Sequence, residues 1–200
     1  MARHIVALVG SNRPGGTVDS AVDAILAGAA EQGAQVRKIL LSERPLEFCR
    51  GCRQCTRNPG PGRGACVIQD GLAGLLAELD AADALVLAAP VHFYNVTALF
   101  RRFLERLVCY AYWPLDRPGP VLRERLTRSN RPAVLVTAAA MPSLFIPLAT
   151  GAPRALRVAA ETMGARATGT LWLGLTGAQA PLAPAAAARG RRLGARLARG

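Results

Sequence analysis

Lysine is almost absent from this sequence: of 25 basic residues among 200, Lys38 alone is lysine. Acids are scarce too, with 13 Asp and Glu, so the chain carries +12 at neutral pH. A charge of that size invites a nucleic-acid reading. Its make-up argues the other way, because the excess is arginine scattered among abundant Ala, Gly and Pro, the habit of a GC-rich genome. One set stands apart with no acid nearby: Arg189, Arg191, Arg192, Arg196 and Arg199. It is expected to form a solvated helix face that attracts anionic substrates, and nucleic acid is not an expected partner.

Long apolar runs are also missing. None reaches the roughly 20 residues that cross a bilayer, so no membrane partner is expected. The opening "MARHIVALVG" lacks the apolar length and cleavage site of a signal peptide. A cytoplasmic, reducing location is the expectation, and clustered cysteines there mean metal or redox chemistry more often than structural disulfides. Aromatics are few (5%), but a hydrophobic share of 51% describes an ordinary globular chain. One domain over residues 1–200 is expected. Two nucleotide signatures are absent as well, the dinucleotide-type GxGxxG and the Walker-type GxxxxGK[ST], which disfavours a Rossmann NAD site and a P-loop.

What is present is alternation of strand and helix. Aliphatic runs at "HIVALVG" (4–10), "AQVRKILL" (34–41), "ALVLAAP" (84–90), "PAVLVTAAA" (132–140) and "ATGTLWLGL" (167–175) predict five strands. Most lack strict alternation and read as strands buried on both faces. Between and after them, 19–33, 71–82, 96–108, 153–164 and 184–198 have helical spacing, with Val22, Ile25, Leu26 and Ala29 on one stripe of the first. The pattern predicts an α/β fold, a doubly wound parallel sheet with helices on both faces. Two Pro/Gly-rich stretches, 56–64 and 114–120, read as surface excursions. Ligands of such sheets sit beyond the carboxyl ends of the strands.

Two loops at those ends carry chemistry. "GSNRPGGT" (10–17) runs straight into a helix, whose N-terminus suits a phosphate. Gly10, Gly15 and Gly16 allow close approach, Ser11, Asn12 and Thr17 add short polar groups, and Arg13 adds charge. A plain strand-to-helix turn capped by Thr17 or Asp19 is the bland alternative. "AAPVHFYNVTALF" (88–100) offers Pro90, Val91, His92, Phe93, Tyr94 and Asn95 as a flat wall for a planar heterocycle. For His92 an ordinary loop histidine is preferred over a catalytic acid.

A third stretch, "FCRGCRQC" (48–55), holds three of the five cysteines, and Cys66 follows. Cys49, Cys52, Cys55 and Cys66 space as C-x₂-C-x₂-C-x₁₀-C. The trio matches the start of a ferredoxin run, but the last gap is long and no proline follows Cys66. A zinc site would show two separated pairs. Free thiols or a reversible disulfide, a [4Fe-4S] cluster and zinc all stay open, and Cys109 reads as a buried structural thiol.

In that order and spacing, "GSNRPGG", "CRGCRQC…CVIQDG" and "ADALVLAAPVHFYNVTALFRRFLERL" resemble the flavodoxin-like NAD(P)H-dependent FMN reductases and iron–sulfur flavoproteins. The resemblance covers about the first 140 residues. It implies a flavodoxin-like three-layer α/β/α fold with a five-stranded sheet of order 2-1-3-4-5 and FMN at the strand ends. Carried over by position, Ser11, Asn12, Arg13, Gly16 and Thr17 hold the phosphate, and Pro90 to Asn95 border the isoalloxazine. Thr137, Ala138 and Ala139 complete the pocket. Relatives often read Gly-Asn-Thr where this chain has Gly16-Thr17-Val18, and carry glycines where it has Ala138, Ala139 and Ala140. The implied activity is a ping-pong oxidoreductase passing a hydride from NAD(P)H to FMN and then to a small acceptor such as a quinone, nitro compound or flavin. No catalytic side chain is nominated. The alternative is an electron carrier with FMN and a cluster on the cysteine loop. The family also implies a homodimer or higher homo-oligomer, for which residues 96–108 and 109–116 are the expected surface, core packing being their other reading.

Overall fold

The computed structural model describes residues 2–123, 130–177 and 181–200. Five parallel strands form the central sheet: β1 (His4–Val9), β2 (Gln35–Leu40), β3 (Ala84–Ala88), β8 (Arg131–Ala138) and β9 (Ala165–Leu173). Their spatial order is β2-β1-β3-β8-β9, which is 2-1-3-4-5 when the sheet strands alone are counted. The remaining strands make two small hairpins, β4 (Val91–His92) with β5 (Asn95–Val96) and β6 (Ala111–Tyr112) with β7 (Val121–Leu122).

Successive side chains of the inner strands serve opposite cores. Ile5, Ala7, Val9, Val86 and Val136 pack toward one face, while Val6, Leu8, Leu85, Leu87 and Leu135 pack toward the other. The first face is covered by α1 (Thr17–Ala30) and the C-terminal α7 (Pro184–Arg199), the second by α3 (Leu72–Asp80), α4 (Ala98–Arg106) and α6 (Ala152–Thr162). Two four-residue helices, α2 (Gln54–Arg57) and α5 (Ile146–Ala149), lie in the connections. Small residues set the closeness of α1 to α7. A Cβ on Gly28 would run into the Arg191 backbone, and one on Gly194 into the Ile25 carbonyl.

Element limits differ from those read in the sequence where local bonding decides. α1 ends at Ala30, not at Gly33, which lies beyond the helix at φ +80° in a turn. β9 starts at Ala165 because Ala165 and Arg166 pair with Arg131 and Pro132. The β4–β5 hairpin went unseen because its two-residue turn is Phe93-Tyr94, both at positive φ (46° and 62°), where Asn-Gly is the usual signal. The 114–120 stretch joins the β6–β7 hairpin. The 56–64 stretch is surface chain but firmly anchored. Arg123, 5% exposed, donates to the carbonyls of Cys55, Asn58 and Gly60.

Candidate active site

At the carboxyl ends of the strands lies a cavity of about 340 Å³, within the range of small-molecule sites. Its walls come from four connections. The loop after β1 and the first turn of α1 contribute Ser11, Asn12, Arg13, Gly16, Thr17 and Val18; the segment after β3 contributes Pro90, Val91 and His92. The end of β8 adds Ala138, Ala139 and Ala140, and the turn after β9 adds Thr176 and Gly177.

Local bonding shapes the first loop for an anion. Ser11 is buried, and its Oγ accepts from the Arg13 amide at 3.1 Å. Gly15, at φ +69°, donates its amide to Asp19 Oδ2 at 2.8 Å. Asp19 is buried in the first turn of α1, and Lys38 Nζ lies 3.0 Å from its Oδ1. The same ammonium lies 2.7 Å from Asp23 Oδ1, so it offsets the charge of Asp19 only in part, while the helix start adds its partial positive charge. Among the described residues the Arg13 guanidinium has no partner. The loop is braced from below, since Thr97 Oγ1, at the N-cap of α4, donates to the Gly10 carbonyl at 2.6 Å. Gly10 itself lies flat on Phe100, where a Cβ would come within 2.7 Å of the ring's own Cβ.

Of the residues singled out in the sequence, Ser11, Asn12, Arg13, Gly16, Thr17, Pro90, Val91, His92, Ala138 and Ala139 line this cavity. Four do not. Thr137 is fully buried and spends its hydroxyl on the Ala89 carbonyl at 2.7 Å. Asn95 folds back onto the Val96 amide, with its side chain against Gly151. Phe93 and Tyr94 stand at the hairpin tip, 101% and 68% exposed. Val18, Ala140, Thr176 and Gly177 were missed. The last two follow the fifth strand, where "GLTG" was a visible turn signal; Thr176 is bonded to the Ala139 carbonyl by both its amide and its hydroxyl. Alanines in place of glycines at 138–140 leave the cavity open, with Ala138 and Ala139 as its buried methyl floor.

The cysteine loop forms a separate assembly at the far end of α4. Arg106 is among the largest fully buried side chains, and its Nη1 lies 2.8 Å from Asp70 Oδ2. The same guanidinium donates to the Glu47 carbonyl at 2.6 Å and to Cys66 Sγ at 3.4 Å. Asp70 accepts in turn from the amides of Glu47 and Leu72, so one ion pair joins both ends of the loop. Burial would push the Asp70 carboxyl up, but Arg106 and these amides outweigh it and hold it below the usual carboxylate range. Gly64 fits against the Cys55 carbonyl with no room for a side chain, so the long gap is folded back and Cys66 is brought near Cys55. Burial, then Cys66, Cys49 and Cys52 nearby, push the Cys55 thiol up. The donors are thus neighbours, but among the described residues no three of His, Cys, Asp or Glu are arranged to share a metal ion. The thiols as placed do not form a ligand set. Cys109 is buried, and burial first of all pushes its thiol up to about 12. Tyr110 is buried with its hydroxyl on Asp80, and Trp113 carries the Arg53 guanidinium 3.9 Å over its ring. Residues 109–116 therefore pack beneath the cysteine loop.

A doubly wound 2-1-3-4-5 sheet with a phosphate-type loop after its first strand defines a flavodoxin-like protein. The chain belongs to the NADPH-dependent FMN reductase family, whose profile matches residues 3–144. It is similar to an "Iron-sulfur flavoprotein" of Archaeoglobus fulgidus, 32% identical over 109 residues, covering 54% of this chain and 47% of the relative. The chain spans about half the length of the curated relatives it matches. Among solved structures it resembles an FMN-dependent NADH-azoreductase from Bacillus anthracis in complex with FMN, at TM-score 0.68 and 11% identity over 99% of this chain and all of that one. It also resembles an archaeal flavodoxin, at TM-score 0.54 and 13% identity over 98% and 96%. At these identities the two structures speak for the fold.

Proposed function

We propose that this chain is an FMN-dependent NAD(P)H oxidoreductase acting on a small acceptor such as a quinone, nitro, azo or flavin compound. The observation that carries the reading is the cavity itself, an anion-binding loop and an apolar wall meeting at the strand ends. Its residues fit the cofactor. Ser11, Asn12, Arg13, Gly16 and Thr17 hold the phosphate, with Arg13 supplying the full charge. Pro90, Val91 and His92 form one wall of the ring site, and Ala138, Ala139, Thr176 and Gly177 face it. When bound, FMN supplies hydride chemistry between a nicotinamide and the acceptor, the two using one site in turn. The chain's part is to bind, orient and partly exclude water, and no side chain is assigned an acid or base role. The decisive experiment is reconstitution with FMN, a visible spectrum, and NAD(P)H oxidation with a dye acceptor. Flavin bands and turnover are expected; a featureless spectrum overturns the reading.

The expected homodimer finds a different surface from the one read in the sequence. Phe93 and Tyr94 share the rim of the site with Leu144, Phe145 and Leu148, exposed by 73%, 51% and 80%. The two groups are joined by the bond from the Gly151 amide to the Tyr94 carbonyl at 2.7 Å. A second copy of this chain covers that rim and closes the flavin site. The alternative electron carrier with a cluster draws support from the four neighbouring thiols and from the similarity to iron–sulfur flavoproteins. Iron and sulfide analysis of anaerobically purified protein decides between the two.

A further inference from the structure

The C-terminal arginines are all exposed, as expected of a solvated helix face, and four of them line a groove. α7 lies along β9, the open edge of the sheet, and two adjoining depressions run between them. Their volumes are about 440 and 360 Å³, and they share Leu193 and Arg196. Five arginines from two elements line them: Arg166 from β9 and Arg189, Arg192, Arg196 and Arg199 from α7. No acid lines either one. Arg189 is spent on the Thr170 carbonyl and Arg199 on Gln32. Arg166, Arg192 and Arg196 have no partner among the described residues.

The backbone is shaped to bring these groups together. The β8–β9 register shifts at Ala133/Val134, so Thr168 is an extra, bulged residue between Ala167 and Gly169. Bulges re-aim side chains and blunt sheet edges. Gly169 then admits Leu193, whose Cδ2 lies 2.7 Å from where a Cβ would stand. This seats α7 close enough for its arginines to face Arg166 across a shallow groove. The groove follows α7 from Arg189 to Arg199, about 15 Å at the rise of a helix.

We propose that this groove binds the sugar–phosphate backbone of nucleic acid, without sequence preference. Planar guanidinium groups suit phosphate oxygens better than any other side chain, and three unpaired ones sharing one elongated groove can each meet a phosphate of the same strand. No aromatic residue lines the groove to stack a base, so recognition stops at the backbone. An anionic membrane is the poorer match. None of the large exposed apolar side chains lies on β9 or α7; those that could insert, Phe93, Tyr94, Leu144, Phe145 and Leu148, surround the flavin site at the carboxyl end of the sheet. The groove is separate from that site, so the proposal stands or falls independently of the flavin reading.

The test is fluorescence anisotropy with a fluorescein-labelled 20-nucleotide oligo(dT) and the whole chain, over a salt series. Three phosphate contacts give a slope of log K against log salt of about −2. The triple variant R166Q/R192Q/R196Q is expected to lose at least about tenfold in affinity at low salt and most of that slope. The charge-matched R101Q/R154Q/R157Q, on the opposite face of the sheet, is expected to stay within about twofold of the parent. Thermal melts confirm that both variants fold. Equal weakening by the two triples overturns the proposal in favour of diffuse positive charge. Absence of oligonucleotide binding by the parent overturns it outright. Tighter binding to phosphatidylserine vesicles than to the oligonucleotide at equal phosphate overturns it in favour of a membrane.

Discussion

On the proposed reading, Arg13 is the side chain that supplies the full positive charge for the flavin phosphate. Replacing it by alanine removes a charge-assisted contact while leaving the loop's internal bonds from Ser11 and Asp19 in place. FMN affinity, followed by quenching of flavin fluorescence, is expected to fall roughly tenfold or more, with an unchanged melting temperature. Gly10 behaves oppositely. A methyl there meets Phe100 at 2.7 Å, so Gly10→Ala is expected to cost about 1–3 kcal/mol in denaturant unfolding, as overpacked cores do. At this scale the sequence was informative about residue type but not about direction. Ser11 to Thr17 could be read because a glycine-rich loop running into a helix has few physical uses. Thr137 and Asn95 were misplaced because nothing in the order of residues reveals whether a polar side chain faces a cavity or a neighbouring carbonyl.

At the level of elements, the Arg106–Asp70 pair decides whether the cysteine loop keeps its shape. Both side chains are nearly inaccessible, at 1% and 5%, and deleting one partner strands the other. Arg106→Met is expected to cost about 3–5 kcal/mol and to open the loop to thiol reagents, seen as faster labelling of Cys55 and Cys66 by mass spectrometry. The pair also sets an acid limb. The folded carboxyl lies below the ordinary aspartate value of 3.8, so its contribution is complete above that pH and is lost as pH falls through the lowered value. Asp70→Asn is expected to be less stable at pH 7 and to show a flatter decline below about pH 3.8 in urea unfolding. None of this was legible in the sequence, where Arg106 was one arginine in "FRRFLERL" and the gap before Cys66 looked loose. Buried ion pairs join residues distant in the chain, here 36 positions apart, and leave no local signature.

For the whole molecule, the five sheet strands were legible because parallel strands buried on both faces announce themselves as unbroken aliphatic runs, whereas their order followed from the family resemblance. The hairpin at Phe93-Tyr94 was not, because aromatic residues replace the expected turn pair. Those residues, with Leu144, Phe145 and Leu148, leave an apolar rim that water covers poorly. Leu148→Glu is expected to convert a dimer into a monomer in sedimentation velocity and to weaken FMN retention together with it. Loss of the dimer with full FMN retention would separate the two functions of the rim, and an intact dimer would move the interface off it.

The brace from Thr97 to Gly10 also bears on synthesis. The phosphate loop is synthesised before the hydroxyl that braces it, which follows 87 residues later in the chain. A nascent chain that stops short of Thr97 carries the loop's letters without its floor. If this loop holds FMN as proposed, cofactor capture waits for α4 to emerge, so flavin loading follows synthesis of the loop itself by the length of two sheet strands, a hairpin and their helices.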